Sequence, residues 1–175
     1  LKLADLLLEA GMPAKAVNVV CGSGATVGNP LVANDKVAKV SFTGSAKVGR
    51  AILAKAGIKK VTLELGNTSP VIVDEVDCME DVVKRCAVGA FYYQGQVCIS
   101  VQRVYVKRDL YGEFKEKLIA AAKAQVVGDP LNEKTDIGPM IDEGEAKRVE
   151  KWVRDAWESG AKVETGGRRD GVMVT

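Results

Sequence analysis

Cys98 lies in "FYYQGQVCISVQRVYV" (91–106), where it follows the polar triplet QGQ and precedes a strand-like run. A thiol in a small polar loop can be exposed and have its thiolate stabilised by backbone N–H groups, which is what attack on an electrophilic carbon requires. It can equally be packing, because free cysteine behaves as a small hydrophobe. The chain has no histidine, so a Cys-His pair, a Ser-His-Asp set and any histidine-bearing metal site are excluded. Cys21, Cys78 and Cys86 show no CxxC pair and no regular spacing relative to Cys98, so all are read as free thiols and no metal site is expected. Cys86 falls on an apolar helical stripe and is assigned to the core; Cys78, in "DCMED", is assigned a structural place.

Two further stretches could hold a phosphate. Gly22, Gly24 and Gly28 read G-x-G-x-x-x-G, one residue longer than the dinucleotide fingerprint, with no acid about 20 residues further on. Glycines supplying positive φ in a tight turn would explain the same residues. In "FTGS" (42–45), Thr43, Gly44 and Ser45 stand where a strand ends and a helix begins, so backbone N–H groups and a hydroxyl face any phosphate held there. A plain helix N-cap has the same wording.

The elements that must position these residues follow from periodicity. A helical pattern over "LKLADLLLEAG" places Leu3, Leu6, Leu7 and Ala10 on one face and stops at Gly11 and Pro13. Strands are predicted at 16–20, 37–42 and 59–65, with a helix over 43–57 that repeats Val48, Ala51 and Ile52. Strand, helix, strand, helix, strand is half of a doubly wound parallel sheet, which binds ligands at the carboxyl ends of its strands. The remainder predicts a strand at 69–75, a helix carrying Met79, Val82, Val83, Cys86, Ala87, Ala90 and Phe91, and a strand at 101–106. A helix over 109–127 with Leu110, Phe114, Leu118, Ile119 and Ala122 on one face follows, then a helix whose Val149, Trp152, Val153, Ala156 and Trp157 make a core or domain-contact stripe, and a strand at 161–167.

Composition narrows the function. With 175 residues, 47% hydrophobic and 27% charged, the chain forms a core. The 25 basic and 23 acidic residues are scattered, with no block that could clamp a nucleic acid or an anionic membrane. No apolar run is long enough to span a bilayer and no secretory signal opens the chain, so a cytoplasmic protein is expected. There is no initiator Met and the first residues already sit in a helical pattern, so a piece of a larger protein is expected.

"VSFTGS", "VTLELGNTSPVIV", "QGQVCISVQRVYV", "VVGDPLNEKTDIGPMI" and "ESGAKVETGG" occur in this order and together span most of the chain. They resemble the successive motifs of the NAD(P)-dependent aldehyde dehydrogenase superfamily, in wording most similar to the lactaldehyde and non-phosphorylating glyceraldehyde-3-phosphate dehydrogenase branch. The resemblance implies an α/β fold: part of a Rossmann-type parallel sheet in a partial dinucleotide-binding domain (1–66), followed by an incomplete α/β catalytic domain (67–175). It maps the nucleophile onto Cys98 and the general base that activates the deacylating water onto Glu64. Gly44 and Ser45 map beside the pyrophosphate of NAD or NADP, Leu65 and Gly66 beside the nicotinamide, and Gly24 and Gly28 are counted with the cofactor side. Asn67 stands where the family's "LELGG" has its second glycine.

The chemistry that the resemblance implies agrees with the residue types. A thiolate converts an aldehyde to a tetrahedral alkoxide that can give up hydride, and the thioester left behind needs a base and water. Without histidine that base is a carboxylate, and Glu64 is the acid inside an otherwise apolar strand, where desolvation is expected to push its carboxyl up. The oxyanion's donors are implied to be the Cys98 N–H and an asparagine upstream of Leu1; the segments that hold the adenosine and nicotinamide riboses are implied to lie before Leu1 and after Thr175. The 175-residue piece alone is therefore expected to bind no cofactor and turn nothing over. A homo-oligomer acting on a small aldehyde is expected. A CoA-acylating relative using the same cysteine, and a silent homologue that only binds or builds, are the alternatives.

Overall fold

The computed structural model describes residues 1–175. It forms two compact units, Leu1–Leu65 and Gly66–Thr175.

In the first unit, helix α1 (Lys2–Glu9) is followed by a π-helical turn at Gly24–Gly28, α2 (Asn29–Ala33), strand β1 (Lys39–Gly44), α3 (Ala46–Ala56) and β2 (Lys60–Leu65). β1 and β2 pair in parallel, from Lys39 opposite Lys60 to Gly44 opposite Leu65. Alternation puts Val40, Phe42, Val61 and Leu63 on one face, where they pack against Val32, Ile52 and Ala56. Helix α3 starts because Ser45 Oγ accepts the Val48 N–H at 3.3 Å, and it ends at Gly57, whose φ of 63° takes the chain out of the helix. Its buried face is Gly49, Ile52 and Ala56, not the expected Val48, Ala51 and Ile52. Gly49 sets that face: a Cβ there would come within 2.9 Å of Leu65 Cδ2, so the helix lies close against β2.

Two expectations fail in this unit. No strand forms at 16–20, because the chain turns there: Ala16 N–H donates to the Pro13 carbonyl at 2.8 Å and Asn18 Nδ2 to the Lys15 carbonyl at 3.3 Å. Local bonds of this kind replace the ladder that a strand needs. Nor are Gly24 and Gly28 positive-φ glycines, since Gly28 has φ −65° and Gly24 is also outside that region. Ser23 Oγ accepts the Thr26 N–H at 3.2 Å and starts a helical turn instead.

The second unit holds β3 (Pro70–Val73), α4 (Met79–Phe91), β4 (Arg103–Val106), α5 (Tyr111–Lys123), α6 (Glu143–Glu158), β5 (Arg169–Asp170) and β6 (Met173–Val174). β3 and β4 pair in parallel, Pro70 opposite Arg103 through Val73 opposite Val106. Val73, Met79, Val83, Cys86 and Phe114 form the buried core, with Val71, Val104, Val106 and Leu118 packed around it. Cys86 is thus core, as its stripe predicts.

The end of the chain departs from expectation. Asp142 Oδ1 caps α6 through the Glu145 N–H at 2.8 Å and Ala146 is its buried residue, but Trp152 and Trp157 are 61% and 62% exposed and form no core stripe here. Arg148 lies over the Trp152 ring at 4.3 Å. The strand predicted at 161–167 does not form. Gly166 and Gly167 have φ of 72° and 76°, which end an extended run, and the short antiparallel pair β5–β6 forms just beyond. No helix is long and apolar enough to cross a membrane.

Candidate active site

Cys98 sits in an exposed turn after α4. The turn closes through the Ser100 N–H, which donates to the Val97 carbonyl at 3.1 Å. Two bonds stitch it to the end of α4: the buried Ser100 donates from Oγ to the Ala90 carbonyl at 3.2 Å, and the Val101 N–H donates to the Gly89 carbonyl at 3.0 Å. Gly89 permits that approach, since a Cβ there would meet Val101 Cγ2 at 2.8 Å.

The polar triplet before Cys98 is not a loose segment. Tyr93, Gln94 and Gly95 have φ of 49°, 57° and 70°, three successive left-handed residues that reverse the chain at the end of α4. Two of them are not glycine, and each such placement costs roughly 1 kcal/mol or more. The Gln96 N–H donates to the Tyr93 carbonyl at 2.9 Å and secures the reversal. The result is a defined turn with the thiol outward and the Cys98 N–H free of any acceptor in the chain.

Asn67 reaches the same turn. Its Nδ2 donates to the Cys98 carbonyl, while its Oδ1 accepts the Ser69 N–H at 3.0 Å. Arg103, the first residue of β4, holds the adjoining Thr68 carbonyl through Nε at 2.9 Å and Nη2 at 2.6 Å. The sequence marks Asn67 only as a departure from a glycine pair. Its link to Cys98 spans 31 residues and leaves no local pattern.

In the first unit, the strand register gathers most of the other candidates. Thr43 stands opposite Glu64 and Gly44 opposite Leu65, at the carboxyl ends of β1 and β2, and Ser45 opens α3 from the same point. Ser45 Oγ is engaged as the cap, and the N–H groups of Ala46 and Lys47 have no acceptor in the chain. A Cβ at Gly44 would fall 2.4 Å from the Phe42 ring, so any larger residue there would make the ring shift. Glu64 is exposed, on the face opposite Val61, Leu63 and Leu65, so the burial expected of it is not supplied by its strand. Gly24 and Gly28 lie apart from this group in sequence and structure, in the turn packed on α2. Gly66 begins the second unit.

Among the other thiols, Cys86 is buried, which pushes it up from the ordinary thiol value, and Cys78 Sγ lies 3.7 Å from the Glu80 carboxylate. No three Cys, Asp or Glu side chains gather as a metal site.

Two α/β units, one ending its parallel pair in an acid and a capped helix and the other presenting a cysteine on a built turn, define an α/β architecture whose class a family model states: the aldehyde dehydrogenase family matches residues 1–175. The chain belongs to that family. It is 49% identical over 173 residues to a 3-sulfolactaldehyde dehydrogenase of Priestia aryabhattai, which covers 99% of this chain and 36% of the relative. It is 42% identical over 168 residues to a lactaldehyde dehydrogenase of Methanocaldococcus jannaschii, covering 96% and 36%. The structure of a glyceraldehyde-3-phosphate dehydrogenase GapN from Methanocaldococcus jannaschii, complexed with NADP, matches with a TM-score of 0.93 and 40% identity over 99% of this chain and 39% of that one. The chain therefore spans about a third of the length of these relatives, and the branch resemblance drawn from its motifs is borne out by their names.

Proposed function

We propose that the protein carrying this chain oxidises a small aldehyde to a carboxylic acid with NAD or NADP, with Cys98 as nucleophile and Glu64 as general base. The observation that carries the proposal is the Cys98 turn: an exposed thiol on a stitched backbone, beside its own unengaged N–H. The Cys98 thiolate adds to the aldehyde carbon and forms a C–S bond, and the carbonyl oxygen becomes an alkoxide that the Cys98 N–H can receive. NAD or NADP supplies, when bound, the acceptor for the hydride that the adduct gives up. What stays on Cys98 is a thioester. Water adds to it while Glu64 takes the water's proton; the C–S bond then breaks and returns the thiolate and a carboxylic acid.

The cofactor's residues are proposed from fit. The Ala46 and Lys47 N–H groups at the start of an 11-residue helix, with Ser45 beside them, suit a diphosphate. Gly44, Leu65 and Gly66 are proposed along its path, with Gly24 and Gly28 at the periphery. Residues 1–66 would then serve as the cofactor side and 67–175 as the catalytic side. A cytoplasmic homo-oligomer is proposed for the whole protein, and hydrolysis is preferred over transfer to CoA because an acid stands at position 64.

The test is product analysis on the intact protein. Aldehyde with NAD(P)+ and no CoA is expected to yield the free acid, and Cys98→Ala is expected to abolish both NAD(P)H release and any acyl adduct. Acid formation that requires CoA would move the protein to the acylating class. Full activity in Cys98→Ala would remove the proposal.

A further inference from the structure

We infer that Asn67 is a positioning residue for the Cys98 turn: its amide pins one of the two peptide planes that flank the nucleophile. The inference rests on the reading of Cys98 as nucleophile and extends it to a residue outside the family's "LELGG" wording.

The peptide planes on either side of the Cys98 Cα set where Sγ and the Cys98 N–H point. The plane before it is held through the Val97 carbonyl, which accepts the Ser100 N–H at 3.1 Å. Carbonyl and N–H point in opposite directions across a trans peptide, so that bond also aims the Cys98 N–H away from the turn interior, where nothing in the chain engages it. The plane after Cys98 has no backbone partner for its carbonyl; the partner is Asn67 Nδ2. Without it, rotation about ψ of Cys98 is restrained by no hydrogen bond at that carbonyl.

Asn67 is itself preset. Its Oδ1 accepts the Ser69 N–H at 3.0 Å, which fixes the amide and directs Nδ2 outward. Arg103 grips the next carbonyl, Thr68, with two donors and ties this segment to the strand that begins just beyond the cysteine turn. Donor, support and target all belong to the second unit. Glycine at this position, as in the family wording, could supply neither the bond to the Cys98 carbonyl nor the one from the Ser69 N–H, so in this chain the asparagine adds a restraint on Cys98.

Asn67→Asp keeps the shape but sets an acceptor against the Cys98 carbonyl; Asn67→Ala removes the group. In the intact protein, each is expected to slow the pre-steady-state burst of NAD(P)H and the alkylation of Cys98 by iodoacetamide about five- to tenfold, the size carried by one neutral hydrogen bond. The KM for aldehyde and the alkylation of Cys78 are expected to stay unchanged, a pattern that a general loss of structure would not give. Burst and alkylation at the parent rates in both variants would overturn the inference, as would a lowered melting temperature with an unchanged burst. Cys98→Ala, run alongside, separates the two layers. A burst that survives it removes the nucleophile reading and this inference together, whereas a lost burst with unaffected Asn67 variants removes the positioning role alone.

Discussion

Arg103 holds the carbonyl of Thr68 with both Nε and Nη2, at 2.9 and 2.6 Å, and so ties the first residue of β4 to the segment that enters β3. The grip needs the planar fork of a guanidinium, because lysine offers a single mobile ammonium in its place. Arg103→Lys is therefore expected to lower the stability of the second unit by about 1 kcal/mol, less than a buried charged bond would lose since the side chain is exposed. Urea unfolding followed by fluorescence measures this; an unchanged midpoint would show that the fork carries no stability.

The four thiols differ enough in setting to give an order of reactivity. Cys86 is 4% exposed and burial pushes its thiol up, so it should be the last to react. The Cys78 thiol is engaged as a donor to the Glu80 carboxylate at 3.7 Å. Cys98 is exposed, and its own N–H is unengaged in the turn. Brief iodoacetamide treatment of the intact protein, then peptide mapping, is expected to find Cys98 labelled first and Cys86 last. Cys21 or Cys86 labelled ahead of Cys98 would contradict the assignment.

Three glutamates contribute on the acid side of the stability curve, Glu80, Glu143 and Glu164, and the last has two lysine partners close by. Glu164 bonds Lys115 of α5 at 2.9 Å and Lys162 at 3.1 Å, and these ammonium groups, Lys115 foremost, hold its carboxyl below the ordinary glutamate value. A carboxyl depressed in the fold stabilises it fully above the unfolded value of about 4.3 and loses that contribution as the pH falls through the folded value. Parent and Glu164→Gln should thus differ most near neutral pH and converge as the pH drops below about 4. Urea midpoints of both proteins across pH 3 to 7 check it, and a gap that widens on acidification would reverse the assignment.

What could be read from the chain alone divides along a physical line. Helix α4 was legible because Met79, Val83 and Cys86 repeat at helical spacing and all three reach the core. β2 was legible because Val61, Leu63 and Leu65 alternate. The run at 16–20 has strand residues but no ladder partner within the unit, and β propensity without a partner does not make a strand. At 161–167 the glycines Gly166 and Gly167 carried the deciding signal, a left-handed bend, which the apolar pattern outweighed. The candidate site divides in the same way. Cys98 and Glu64 are visible by residue type and wording, but Asn67 and Arg103 act across 31 and 35 residues, and the left-handed Tyr93 and Gln94 obey no local preference.

The central claim, a Cys98 acyl enzyme cleared by water that Glu64 activates, is tested most directly by the burst of Glu64→Gln in the intact protein. Glutamine keeps the size and the hydrogen bonds but takes no proton, and loss of a general base costs about 10² to 10⁴ in rate. Steady-state turnover is expected to fall by that order, while a burst of NAD(P)H close to one equivalent per site survives and mass spectrometry finds the acyl group on Cys98. A variant with neither burst nor adduct would contradict the account, placing Glu64 in the first step instead of the last.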